Sequence, residues 1–144
     1  MGLPEISYSR FRVHHYDPAD MEQAQSFPLP FNPGVEIKGY GTEVDEPAGQ
    51  IVVEDFLPGT EFNWQFAHDE MQYCISGQAE IEFFHPPLYS DSVKATQRPG
   101  SMYLLPQGGR LQIRVIGDEP YRHVCFCYPG PRYPFPPAAS ISNG

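Results

Sequence analysis

Positive charge is scarce in this chain. Its 144 residues carry 9 Lys and Arg against 18 Asp and Glu, a formal net charge of −9. Phosphate backbones and anionic lipid surfaces are recognised by clustered basic side chains, so neither nucleic acid nor a membrane is an expected partner. Long apolar runs are missing as well, and none approaches the roughly 20 residues of a membrane-spanning helix. The opening Met1-Gly2-Leu3-Pro4-Glu5 lacks the basic and apolar regions of a secretory signal. Cysteine is sparse: three residues build no complete disulfide framework, and the expected compartment is the reducing cytoplasm. Cys125 and Cys127 would share one strand face, where they read as small hydrophobes. A Cys-x-Cys pair without a second thiolate cluster is weak evidence of a metal. Phosphate-loop and nucleophile-elbow patterns are absent: no lysine follows Gly108-Gly109-Arg110 at the required offset, and Ser76 and Ser101 lack the flanking glycines.

What is abundant is punctuation. There are 17 Pro and 13 Gly, with 14% aromatic residues. Short alternating segments between turns, with almost no helical periodicity, predict an all-β sandwich or barrel. Its size suits one domain. Residues 1–34 are expected to form an arm and a short helix packed on the barrel, 35–130 the barrel, and 131–144 a Pro-rich tail, frayed from Ala138 onward. The helix starts with Asp17 as N-cap and Pro18 in its first turn. Strands are expected at 35–40, 50–57, 79–84, 93–97, 101–105, 110–115 and 121–128, with an acidic turn over 43–49. His14-His15 in the arm reads as a surface pair, because neighbours on a strand point to opposite faces.

The central stretch is 62–76, read as one strand. One parity carries Trp64, Phe66, His68, Glu70, Gln72 and Cys74. Aromatic walls mixed with groups that titrate or hydrogen-bond describe the lining of a small-molecule pocket, and equally a core strand with tolerated polar residues. Gly77-Gln78 then turns the chain so that 79–84 pairs back on it as a hairpin, with Glu80 and Glu82 on a solvated face. Glu54 sits among apolar neighbours on its own strand and points either inward to a site or out to solvent.

Two spaced frames stand out. Glu70 is followed by six residues and Gly77; Gly100 is followed by five residues and Pro106-x-Gly108. In this order, across residues 45–130, they resemble the two motifs of the cupins. Trp64-x-Phe66-x-His68-Asp69-Glu70 with Tyr73 and Gly77, the Pro106-x-Gly108 turn, and Arg122 leading into Tyr128-Pro129 resemble more narrowly the EutQ-type cupins of ethanolamine utilisation. The resemblance implies a small antiparallel β-barrel of jelly-roll type with an internal pocket, usually dimeric. It also exposes a departure. Metal-binding cupins carry His-x-His before the Glu and a further His after the second motif. Those positions here are Trp64, Phe66 and Leu111 (Asn63 and Gln65 for the first two if the spacing is one longer).

The expected function is therefore that of a cupin-type enzyme using metal-independent acid–base chemistry, as an isomerase, lyase or cyclase, on an apolar or aromatic ligand. His68, Glu70, Tyr103 and His123 are the expected catalytic groups, and Glu54, Trp64, Phe66, Gln72, Leu111 and Cys125 the expected ligand contacts. No cofactor is expected. The alternatives are a binding or sensor module without turnover, a scaffold, and a metal-dependent enzyme in which His68, Glu70 and His123 converge on a divalent ion. The expected partners are a small molecule and a second copy of the chain.

Overall fold

A computed structural model describes residues 11–29, 32–128 and 135–140. Among these residues ten strands form two antiparallel sheets, and one short helix precedes them. Helix α1 (Pro18–Gln23) starts as expected, with Asp17 Oδ1 accepting from the Ala19 N–H at 2.9 Å. The strands are β1 (Ser26–Leu29), β2 (Asn32–Glu46), β3 (Gly49–Phe56), β4 (Glu61–Gln65), β5 (Glu70–Ser76), β6 (Gln78–Phe84), β7 (Ser92–Gln97), β8 (Met102–Leu105), β9 (Arg110–Ile116) and β10 (Tyr121–Cys127). The larger sheet has the order β1-β2-β3-β10-β5-β8 and the smaller β4-β9-β6-β7. The all-β jelly-roll class holds, but the two sheets face each other without closing into a barrel.

Three local expectations are corrected. The acidic turn expected over 43–49 is confined to Pro47 and Ala48: β2 continues to Glu46, and its register against β3 slips between Gly41 and Asp45. Pairing against β3 overrides the weak strand preference of these acids. The hairpin between 62–76 and 79–84 does not form. β5 bonds to β10 and β8, whereas β6 bonds to β7 and β9 in the other sheet. Gly77 makes that change of sheet possible. It sits at φ 77°, and a Cβ there would lie 2.0 Å from the Pro120 carbonyl oxygen. The tail is not frayed at Ala138, which is fully buried. Gly41 N donates to Pro136 O at 2.6 Å, Ala138 N to Gly41 O at 3.2 Å, and Ser140 Oγ to Asp20 Oδ2 at 2.9 Å. This strap covers the outer face of the larger sheet, where Met21, Tyr40, Val53 and Ala138 form a second small core. The sheet itself begins at Ser26, within the stretch 1–34.

The central stretch is two strands rather than one. β4 belongs to the smaller sheet and β5 to the larger, with residues 66–69 crossing between them. The crossing is pinned by the turn of the second motif. Phe66 N donates to Gly109 O at 3.0 Å, Gly108 N to Phe66 O at 2.8 Å, and Gln107 N to Asp69 Oδ1 at 2.8 Å. Gly108 takes φ 86°, a conformation open to glycine at little cost. The parity survives the break: Phe62, Trp64, Phe66, His68, Glu70, Gln72 and Cys74 are all buried, and the residues between them are exposed. The main core fills the space between the sheets, with Phe56, Trp64, Leu111, Ile113 and Tyr121 among its members.

Candidate functional site

The inner face of the larger sheet is lined with polar side chains. From β3 comes Glu54, from β5 Glu70 and Gln72, from β8 Tyr103, and from β10 Tyr121, His123, Cys125 and Cys127. Register explains the grouping. His123 lies opposite Glu54, Cys125 opposite Gln72, and Cys127 opposite Glu70, and directly paired residues share a face.

Two compact groups result, His68–Glu70–Cys127 and Glu54–His123–Cys125. In the first, His68 Nε2 lies 3.1 Å from Glu70 Oε1, and Cys127 Sγ donates to the same oxygen at 3.2 Å. Gln72 Nε2 donates to Glu70 Oε2, Tyr103 OH donates to Gln72 Oε1, and the Tyr103 and Tyr121 hydroxyls bond to each other. Three donors thus converge on one carboxylate, the pattern that suits an acceptor-only group. From it a hydrogen-bonded chain runs through Gln72 to Tyr103, which is partly exposed on the edge strand β8. Burial, then Tyr121 beside it, push the Tyr103 phenol well above its ordinary range. Burial, then Glu70, do the same for the Cys127 thiol.

In the second group Cys125 Sγ donates to Glu54 Oε1 at 2.6 Å. His123 Nε2 stands 3.4 Å from that oxygen but is not aligned to bond it. Its Nδ1 lies 3.3 Å from the Tyr121 carbonyl oxygen. The ring stacks on Tyr121 at 4.7 Å and meets Phe56 edge-on at 4.5 Å. Burial, then the Glu54 and Glu70 carboxylates, hold the Cys125 thiol well above its usual range.

Every expected site residue faces the interior, and the open question about Glu54 resolves inward at 1% exposure. His68, Glu70, Gln72 and Tyr103 come together as a set. His123 does not join them, so His68, Glu70 and His123 are not a metal triad. His123 lies four residue steps along β10 from Cys127, the residue paired with Glu70, a span of roughly 13 Å, and Glu54 and Cys125 are its neighbours instead. Cys127 is the member that sequence reasoning read only as a hydrophobe. Its signal was its parity with His123 and Cys125 on one strand.

Three of the usual cupin ligand positions carry no metal-binding side chain here. Trp64 and Leu111 are register partners, and Phe66 stacks on Trp64 at 5.0 Å and 22°. All three are buried and none offers a donor. Glu70 keeps its place, and the ligand atoms grouped with it belong to His68 and Cys127.

Concavities among the described residues include three of about 500, 350 and 390 Å³. The largest lies over the outer face of the smaller sheet, lined by Glu61, Glu80, Lys94, Gln112 and Arg114 among others. The other two lie beside β2, β3 and β10. None of these three is lined by His68 or Glu70.

No family model and no curated relative matches the chain. Solved structures do match, and all three described here are cupins in fold. The Clostridium difficile EutQ protein shares 22% identity at a TM-score of 0.53, over 72% of this chain and 70% of that one. The Schizosaccharomyces pombe Cnp3 cupin domain shares 17% at 0.58, over 82% and 70%. A Lactobacillus farciminis oxalate decarboxylase, solved as a formate complex, shares 18% at 0.58, over 78% of this chain but 33% of its own length. At these identities the likeness is one of fold: the chain has the cupin fold and resembles EutQ in it.

Proposed function

We propose that the chain is a small-molecule enzyme that moves protons without a metal, with His68 and Glu70 as its acid–base pair. The observation that carries this is the buried chain His68–Glu70–Gln72–Tyr103–Tyr121. A carboxylate next to an imidazole can take a proton from carbon and return it at a neighbouring position, which is the chemistry of isomerases, eliminating lyases and cyclases. Gln72 holds the Glu70 carboxylate in one orientation, and the buried Tyr103 hydroxyl holds Gln72 in turn. Trp64 and Phe66 form the aromatic wall that excludes water and selects an apolar or aromatic ligand. The cupin fold is compatible with this reading, since its neighbours include a decarboxylase, but fold alone does not choose a chemistry.

A second reading, binding without turnover, is favoured by the complete burial of Glu70 and the near-complete burial of His68. One experiment separates the two. The protein is incubated in D2O with a panel of small aryl ketones, and loss of the α-hydrogen signal is followed by proton NMR. Exchange that disappears in Glu70→Gln and falls steeply in His68→Ala supports the enzyme. Exchange that survives both variants refutes the assignment, and line broadening without exchange supports the binder.

Dimerisation belongs to the same proposal. On the outer face of β5 and β8, Met71, Tyr73, Met102 and Leu104 are exposed apolar neighbours that a second copy would cover. No described helix is long and apolar enough to cross a membrane. The three free thiols suit a reducing compartment.

A further inference from the structure

We infer that Glu54, His123 and Cys125 form a divalent transition-metal site, set apart from the usual cupin position and from the His68–Glu70 pair. One ligand atom from each lies within 4.8 Å of the others. All three side chains are at most 1% exposed. Two of their atoms, Glu54 Oε2 and His123 Nε2, have no hydrogen-bond partner among the described residues. Leaving such atoms unpaired in an apolar interior is costly, because each has lost its hydrogen bonds to water without a replacement. In the neighbouring group every carboxylate oxygen of Glu70 has a donor. The contrast singles out the Glu54 group as the one with ligand capacity to spare.

The backbone supports the geometry. Glu54 and His123 are cross-strand partners, and Cys125 follows His123 on the same face. Tyr121 and Phe56 clamp the imidazole ring, and the Tyr121 carbonyl lies 3.3 Å from Nδ1. A backbone carbonyl that accepts from Nδ1–H leaves Nε2 as the ligand nitrogen, the arrangement that metal-bound histidines adopt. One carboxylate, one imidazole and one thiolate make a borderline-soft donor set, which selects zinc or cobalt over magnesium or calcium. On binding, the Cys125 S–H bond breaks, sulfur binds the ion, and the proton now directed at Glu54 leaves to solvent. With three protein ligands the fourth position stays open.

Because each donor is buried, the ion enters as the chain folds. The test is therefore to refold the whole protein from urea with Co(II), remove excess metal, and record the absorption spectrum and bound cobalt. One cobalt per chain with a thiolate-to-cobalt charge-transfer band is expected, and refolding with Zn(II) instead should give a colourless protein with one zinc per chain. The band should vanish in Cys125→Ser and persist in Cys127→Ser. Glu54→Gln and His123→Ala should each weaken cobalt binding by more than the roughly 10–100-fold typical of losing an outer-shell partner. A refolded wild type without the band overturns the site, whatever the variants do. A band that depends on Cys127 and not on Cys125 also overturns it, by assigning the metal to the His68–Glu70 group. The aryl-ketone exchange assay reads a different pair of residues, so failure of either idea is distinguishable from failure of the other.

Discussion

The two sheets enclose one interior, yet they line it with opposite chemistry. The smaller sheet contributes Phe62, Trp64, Ile81, Leu111, Ile113 and Val115, all apolar, while the larger adds Glu54, Glu70, Gln72, His123 and three thiols to apolar residues such as Val52 and Phe56. The resemblance to metal-binding cupins places His ligands at Trp64, Phe66 and Leu111, on or next to the smaller sheet. Here that side has become a hydrophobic wall, and the groups able to titrate or ligate stand across from it. Polar groups concentrated on one sheet can bond to one another through cross-strand register. Polar groups divided between two sheets depend on inter-sheet spacing, which loops and packing control less tightly.

Four substitutions probe this asymmetry. The largest effect is expected at the wall: Trp64→Ala should cost about 3–5 kcal/mol in urea unfolding, because a large buried ring leaves a cavity. A cost under 1 kcal/mol would mean that the wall is not the main support of the interior. Next comes the polar side. Glu70→Ala strips the acceptor from His68, Gln72 and Cys127 and should cost about 1–3 kcal/mol. The double variant His68→Leu/Glu70→Met should recover part of that loss, since a buried pair replaced by apolar groups is often tolerated. No recovery would show that the network supports the fold beyond its pairwise bonds. Tyr103→Phe removes the hydroxyl that links Gln72 to Tyr121 and should cost roughly 0.5–1.5 kcal/mol. If Tyr103 also guides a proton, its exchange rate with aryl ketones falls more than its stability does.

The smallest effect concerns pH. Burial pushes the Cys74 thiol up to about 11, against a slight lowering by the Ser76 carbonyl. The unfolded thiol ionises at its ordinary lower pH, so the unfolded state sheds its proton first. Stability contributed by the protonated thiol is therefore full below pH 9 and declines as pH rises from about 9 toward 11. Urea midpoints of wild type should drop across that range, and Cys74→Ala should drop less. Equal slopes would remove Cys74 from the account.

Much of the fold is legible because alternation and turn residues are local signals. The parity of 62–74 reads correctly from sequence, and Leu111, Ile113 and Val115 turn inward as their spacing predicts. Asp17-Pro18 marks the helix start for a reason confined to a few atoms. What the same signals conceal is which sheet a strand joins. Nothing in the alternation of 62–76 marks the crossing at 66–69, because the inward face continues through it. Nor does the tail announce its burial: Ala138 is held by Gly41 and Met21, residues far away in the chain.

Sequence by itself thus determined that strands dominate, that Trp64, Phe66 and Leu111 stand where cupin ligands would, and that His68, Glu70 and Gln72 share a face. Period-two geometry and residue chemistry are enough for that. Only the tertiary structure decided the partners. The register of β10 between β3 and β5 set His123 against Glu54 and Cys127 against Glu70, and so divided one expected site into two. Register is settled by the packing of both faces of the whole sheet at once, and no single strand carries that information.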